Sequence, residues 1–359
     1  MATIAHRQVE VTMGVPALTI GLDVGDRLSQ ACVLDAQGQV VKREAVKTSA
    51  PALARFFARF PGARVVLEVG MHSPWMARLL TGAGLEVIVC NARKVALISQ
   101  NDRKSDRIDA ELLARLGRLD PALLHPIQHR SAAAQADLAV LLSRDALVRT
   151  RARLINHMRG LVKSSGARLP DCSAASFARQ VPEHLPAELA EALSPVLRHI
   201  AGLTASIRKY DYRIEQLCRF SYPETARLRQ IRGVGPITAL AYVLILDNPH
   251  RFKKSRSVGA YVGLVSRQRE SSASRPQLRI TKAGSPLLRR LLVGDAHYIL
   301  GPFGKDCTLR RFGQAIAKQG GKNAKKRAAV AVARKLAVLL HRLWVSETDY
   351  DALRNARAA

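Results

Sequence analysis

The stretch Asn101-Asp102-Arg103-Lys104-Ser105-Asp106-Arg107-Ile108-Asp109-Ala110 runs directly into Glu111-Leu112-Leu113-Ala114-Arg115-Leu116. The second half is made of strong helix formers, so a helix is predicted there. Asp106 and Asp109 are three residues apart and would share one face of it. Two carboxylates that close repel, and in a chain of formal net charge +29 they want a positive partner. A divalent metal is one candidate; the neighbouring Arg103, Lys104 and Arg107 are the other. Acidic residues in a first helical turn are also ordinary, so the pair gains meaning only if further carboxylates converge on it.

Upstream, Ala17 to Gly25 reads as a buried strand that ends in Asp23 and a glycine. Ser29 to Leu34 and Val40 to Val46 are further strands, with Gly38 after Asp35 marking a hairpin turn. Pro51 to Phe60 is predicted helical, its Phe56, Phe57 and Phe60 forming a core stripe. Ala63 to Gly70 is another buried strand, carrying the lone carboxylate Glu68. A helix from Pro74 to Thr81 and a strand from Leu85 to Cys90 follow. Three strands, then alternating helices and strands, predict a mixed α/β sheet over residues 17–130. A charge at the end of an apolar strand is costly unless paired or metal-bound. Asp23, Glu68, Asp106 and Asp109 could therefore meet at one sheet edge, where hard oxygen ligands suit divalent cations that bridge a phosphate. Asp26, Asp35 and Asp102 are explained by turns and caps.

The runs Gly21-Leu22-Asp23-Val24-Gly25, Leu67-Glu68-Val69-Gly70 and Lys104-Ser105-Asp106-Arg107-Ile108-Asp109-Ala110 resemble the Asp-Glu-Asp-Asp signature of the insertion-sequence 110 family of transposases and its 1111 subgroup. The resemblance implies an RNase H-like, RuvC-like N-terminal domain. It implies Asp23, Glu68, Asp106 and Asp109 as ligands of Mg²⁺ or Mn²⁺, and Lys104 beside them as a nucleic-acid contact. Sugar kinases and actin-like ATPases share the first run, but no Gly-rich adenosine loop follows a strand here.

Lys and Arg number 57 against 28 Asp and Glu, and residues 221–359 hold 27 and 8 of them. So basic a surface points to a polyanion, most commonly nucleic acid. The five cysteines lie far apart, which argues against a zinc site or a disulfide framework and fits a reducing cytoplasm. The N-terminus is polar and mixed, and the longest apolar run, Ile237 to Leu246, is too short to span a bilayer. A cytoplasmic protein with no membrane partner is expected.

Over residues 131–220, two helical segments flank a Pro-containing linker. Val140, Leu147, Leu154 and Leu161 recur every seven residues, as do Leu141, Val148, Ile155 and Val162 beside them; Leu193, Val196, Ile200, Leu203, Ile207, Tyr210, Ile214 and Leu217 follow three-four spacing. This is a coiled-coil seam, to be satisfied within one chain or between chains. The resemblance favours an interchain contact, giving a homodimer or higher oligomer. Arg144, Arg149, Arg151, Arg153 and Arg159 line the first helix, as a solvated face or a nucleic-acid backbone contact.

Residues 221–347 are expected to be mostly helical. Ile231-Arg232-Gly233-Val234-Gly235-Pro236 has the form of a hairpin feeding a helix, with Gly233 and Gly235 turning the backbone and Pro236 at the first helical position. Free N–H groups there would hold a phosphate, and the motif resembles the helix-hairpin-helix of DNA-binding proteins. Ala260 to Ser274, then Arg279-Ile280-Thr281-Lys282-Ala283-Gly284-Ser285, resemble the second hallmark of the same transposases. In the family a loop serine there is the nucleophile on DNA, and the matching residue is Ser271. Ser272 stands where the family has Gly, Thr281 and Ala283 where it has Ser and Arg, and Ser266 where Pro is common; Ser272 and Ser274 are neighbouring alternatives. Arg267, Arg269, Arg279 and Lys282 would hold phosphates, as would Lys325, Lys326 and Arg327 in a basic turn ahead of a helix over Ala328 to Trp344. The tail after Glu347 is expected to fray.

The resemblance implies a transposase or recombinase that cuts and rejoins double-stranded DNA at element ends and target, guided by a structured RNA that the element encodes. The rivals are a metal-dependent Holliday-junction-type nuclease without serine chemistry and a non-catalytic nucleic-acid-binding protein.

Overall fold

The computed structural model describes residues 17–91, 105–269 and 278–353, which group into two compact units, Met1–Arg130 and Ser131–Ala359. Ser271 and Lys104 lie outside the described residues.

The first unit is the mixed α/β domain that the sequence predicts. Its strands are β1 (Thr19–Asp23), β2 (Leu28–Leu34), β3 (Val40–Lys47), β4 (Arg64–Glu68) and β5 (Glu86–Cys90), in the order β3-β2-β1-β4-β5. β1, β2 and β3 form an antiparallel meander, while β4 runs parallel to β1 and β5 parallel to β4. Strand alternation sends Ile20, Leu22, Val65 and Leu67 to one face. There they pack on Leu53, Phe56 and Phe57 of α1 (Ala50–Phe57) and on Met76 and Leu80 of α2 (Ser73–Gly82). The other face carries Cys32, Leu34, Val66, Ile88 and Cys90, covered by Ala110, Leu113, Ala114 and Leu116 of α3 (Asp106–Leu119). Gly21 is what lets α3 lie so close: a Cβ there would stand 1.9 Å from the Ala110 carbonyl oxygen.

In the second unit the long helices α4 (Ala132–Ser164) and α6 (Ala187–Gln216) pack side by side, with the single turn α5 (Phe177–Gln180) between them in sequence. Arg144 pairs with Asp211 and Arg151 with Thr204, so the two helices run antiparallel. Ile155, Met158 and Val162 close on Leu193, Leu197 and Ile200. Part of the expected apolar seam is thus packed within one chain, while Leu142 and Leu161 of α4 stay exposed. The Pro-rich connector, with turns at Pro182 and Pro186, lets α6 fold back onto α4.

The rest of this unit wraps around α8 (Pro236–Leu246), in which every residue from Thr238 to Leu246 is buried. Ahead of it stands the four-residue α7 (Thr225–Leu228), and after it come α9 (Ser257–Tyr261), α10 (Pro286–Leu300), α11 (Thr308–Lys318) and α12 (Ala324–Ser346). The Tyr242 hydroxyl donates to the Ala337 carbonyl at 2.6 Å, tying α8 to α12. Lys325, Lys326 and Arg327 lie in the first turn of α12 rather than in a turn before it. The expected fraying after Glu347 is not found up to Leu353. The Ala352 carbonyl accepts from both the amide and the hydroxyl of Thr308, and Gln230 bonds to Asp349 and Tyr350. Among the described residues no helix is long and apolar enough to cross a membrane, and all five thiols are free.

Candidate carboxylate site and nucleic-acid contacts

Asp23 and Glu68 end β1 and β4, which are parallel neighbours with Leu22 opposite Leu67. Both side chains are half-buried. Asp23 follows Gly21 by two residues and Glu68 follows Val66 by two, so both share the α3 side of the sheet. α3 is antiparallel to these strands. Its far end is fixed where the Arg64 Nη1, at the start of β4, donates to the Gly117 carbonyl at 3.0 Å, while Ala110 and Ala114 sit over mid-strand Gly21. The N-terminus of α3 therefore reaches the strand ends that carry Asp23 and Glu68. Ser105 caps that end, its hydroxyl accepting from the Ile108 amide.

The two α3 carboxylates are not alike. Asp106 is exposed, whereas Asp109 is 5% exposed and its Oδ1 has no hydrogen-bond partner among the described residues. A buried carboxylate oxygen left unpaired is costly, and a cation would satisfy it. The Glu68 charge also bears on its β5 neighbour: burial pushes the Cys90 thiol up to about 12, and Glu68 adds to the rise. Among the described residues no three His, Cys, Asp or Glu side chains come together closely enough to hold a metal ion. The all-oxygen donor set and the unpaired Oδ1 of Asp109 nevertheless fit a hard divalent cation. Of the neighbouring acids, Asp35 caps its own turn through the Gln37 and Gln39 amides, and Asp26 pairs with His72.

In the second unit the residues flanking Ser271 form a short two-stranded ladder. The Arg267 amide donates to the Arg279 carbonyl at 2.9 Å, that of Thr281 to Val265 at 2.9 Å, and that of Lys282 to Gly263 at 3.1 Å. Arg267, Arg269, Arg279 and Lys282 are all exposed and bracket residues 270–277. The two halves of the hallmark are fitted to each other by glycines. Gly263 (φ 72°) would place a Cβ 2.3 Å from the Ala283 amide nitrogen, and Gly284 (φ 66°) one 2.2 Å from the Tyr261 carbonyl oxygen. The Arg289 Nη1, which in sequence is one more cation of a basic helix, donates to the Val262 and Ala283 carbonyls and holds both arms. The Gly233–Gly235 hairpin is partly exposed ahead of α8, with Gly233 at φ 99°.

Beneath that hairpin lies a group that sequence reasoning missed. Asp295 on α10 is 9% exposed, accepts from the Thr238 hydroxyl at 3.2 Å through Oδ1, and has no partner on Oδ2 among the described residues. Burial pushes its carboxyl up to about 7. An isolated Asp in an apolar helix gave no sequence signal.

Comparison with known proteins fits this arrangement. Residues 20–166 match the DEDD transposase model of the IS110 family, and residues 225–300 match the transposase family IS116/IS110/IS902. The transposase for insertion sequence element IS1111A of Coxiella burnetii is 28% identical over 344 residues, 92% of this chain and 90% of its own. A Sinorhizobium fredii protein that carries a transposase name is 30% identical over 342 residues, 93% of this chain and 85% of its own. The transposase for element IS1328 of Yersinia enterocolitica is 29% identical over 278 residues, covering 76% and 81%. These matches make the chain a transposase, built of an α/β nuclease-like domain followed by a basic helical domain. The chain belongs to the IS110 family of insertion-sequence transposases.

Proposed function

We propose that this transposase cleaves and rejoins DNA strands at the ends of its element, with Asp23, Glu68, Asp106 and Asp109 holding divalent metal and Ser271 as the nucleophile. What supports the metal reading is the buried Oδ1 of Asp109, without a partner among the described residues, on the helix that packs against the strands ending in Asp23 and Glu68. A bound Mg²⁺ or Mn²⁺ would neutralise charge on the attacked phosphate and make the hydroxyl more acidic. The Ser271 oxygen bonds to phosphorus as the bond to one deoxyribose oxygen breaks; the serine proton is lost and the leaving oxygen gains one. The resulting phosphoserine ester is reversed when a second strand's hydroxyl attacks. Arg267, Arg269, Arg279 and Lys282 grip neighbouring phosphate oxygens, Arg through its fork. Gly233, Gly235, Lys325, Lys326 and Arg327 serve as further backbone contacts.

The guide is a structured RNA encoded by the element, as the family resemblance implies; the formal charge of +29 suits a combined RNA and DNA load. Chains act as a dimer or larger assembly at paired DNA ends.

The test is to incubate the protein with its element's end DNA and metal, denature, and map any protein–DNA adduct. An adduct on Ser271, lost in Ser271→Ala and in Asp23→Asn, is expected. Cleavage and strand transfer by Ser271→Ala would replace this reading with a metal-dependent nuclease, and an adduct on Ser272 or Ser274 would move the nucleophile.

A further inference from the structure

Four of the five arginines expected to line α4 are engaged within the protein. Arg144 pairs with Asp211, Arg149 with Asp145, Arg151 bonds to Thr204, and Arg159 donates to the Pro170 carbonyl at 2.9 Å. The unsatisfied positive charge lies elsewhere, around a groove between residues 173–179 and α6. Ser173, Ser176, Arg179, Thr204 and Arg208 line it, over a floor of alanines. Arg179 and Arg208 are exposed, and neither forms an ion pair among the described residues. Arg151 is half-buried behind the groove, its Nη1 donating to the Thr204 hydroxyl at 3.2 Å, while that hydroxyl donates to the Ile200 carbonyl at 2.8 Å. Burial lowers the Arg151 pKa, and the charges of Arg144 and Arg208 lower it further, against only partial relief from Asp211. That one acid is already bound to Arg144. The region holds more positive charge than the protein itself neutralises.

The shape agrees with the charge. Alanines leave no side chain to fill the groove, so a ligand's backbone can approach the helix. Guanidinium forks at Arg179 and Arg208 suit non-bridging phosphate oxygens. The Ser173 and Ser176 hydroxyls, 2.9 Å apart, can give or take hydrogen bonds at sugar oxygens.

We propose that this groove of the helical hairpin binds the phosphodiester backbone of a nucleic-acid strand, gripped by Arg179 and Arg208. None of its residues belongs to the carboxylate set or to the hallmark that carries Ser271, so the proposal goes beyond the strand-cleavage reading and can fail without it.

The experiment titrates the full-length protein against labelled single-stranded RNA, single-stranded DNA and duplex DNA of one sequence, by fluorescence anisotropy across a series of KCl concentrations. The double variant Arg179→Gln/Arg208→Gln is compared with Arg198→Gln/Arg213→Gln, which removes equal charge from exposed positions on α6 outside the groove. Because the first variant no longer neutralises two phosphates, its log–log salt slope should fall by about 2 on at least one probe, with several-fold weaker binding. The control should keep its slope, and both variants the parent's circular dichroism. The probe that is affected identifies the strand as RNA, DNA or either. Equal losses in the two variants, or an unchanged slope on every probe, would overturn the proposal. Ser271 adduct formation at saturating DNA is scored separately and is expected to persist.

Discussion

Gly21 of β1 and Ala110 of α3 are in backbone contact, with room for a hydrogen and none for a methyl group: an added Cβ would lie 1.9 Å from the Ala110 carbonyl oxygen and 2.5 Å from the Ala114 amide. This approach seats α3 closely on the sheet, one residue after Asp109. Gly21→Ala should therefore push α3 away, costing about 3 kcal/mol and lowering the melting temperature by several degrees. Gly160→Ala on α4, where nothing lies within 4 Å, should be neutral or stabilising by up to about 1 kcal/mol. Thermal melts of the two proteins side by side check this; equal stabilities would mean that α3 is not seated on Gly21.

Asp109 supplies a second expectation. The Asp109 Oδ1 is buried without a partner among the described residues, and an amide there is cheaper to bury than a carboxylate, so Asp109→Asn in chelator should be at least as stable as the parent. Added Mn²⁺ should raise the melting temperature of the parent by binding the folded state and leave Asp109→Asn unmoved. A parent protein that ignores the metal would remove the cation from this site.

The pH dependence follows from Asp295. Its carboxyl is raised from 3.8 to about 7 by burial, with the Thr238 hydrogen bond offsetting only part of the rise. A group whose folded pKa exceeds its unfolded one stabilises while protonated. Its contribution is whole below about pH 4 and is lost as pH climbs through about 7. The full span is on the order of 4 kcal/mol. Asp295→Asn mimics the protonated form, so its stability advantage over the parent should be small in acid and grow until about pH 8. Urea denaturation at several pH values measures that difference, and a constant gap would contradict it.

Gly284 tests the second hallmark. At φ 66° and with a Cβ set to fall 2.2 Å from the Tyr261 carbonyl oxygen, Gly284→Ala is strained and crowded at once. Serine-adduct formation should drop by at least tenfold, a barrier rise of about 1.4 kcal/mol, while the circular dichroism signal is retained. An active Gly284→Ala protein would show that the ladder need not be held so tightly.

Much of the first unit could be read from residue order, because each strand carries its own signature of alternation and the four acids stand at element ends. Asp109 and Asp106 look equivalent in sequence; only the placement of α3 buries one and exposes the other. The α4–α6 seam shows the limit of periodicity. A heptad pattern says that a helix wants an apolar partner, and the partner's identity is decided by a connector able to fold back. Asp295 and Arg289 were illegible for a related reason, since one acid or base within an apolar helix acquires meaning only from what packs over it.

The carboxyl-terminal segment has a practical consequence. A single peptide oxygen, that of Ala352, fastens the entrance of α11, and Asp349 and Tyr350 clip onto Gln230 just before the glycine hairpin. The segment thus works as a strap over distant parts of the second unit. Trimming the polypeptide at Glu347, or fusing a bulky reporter there without a spacer, would unbuckle it.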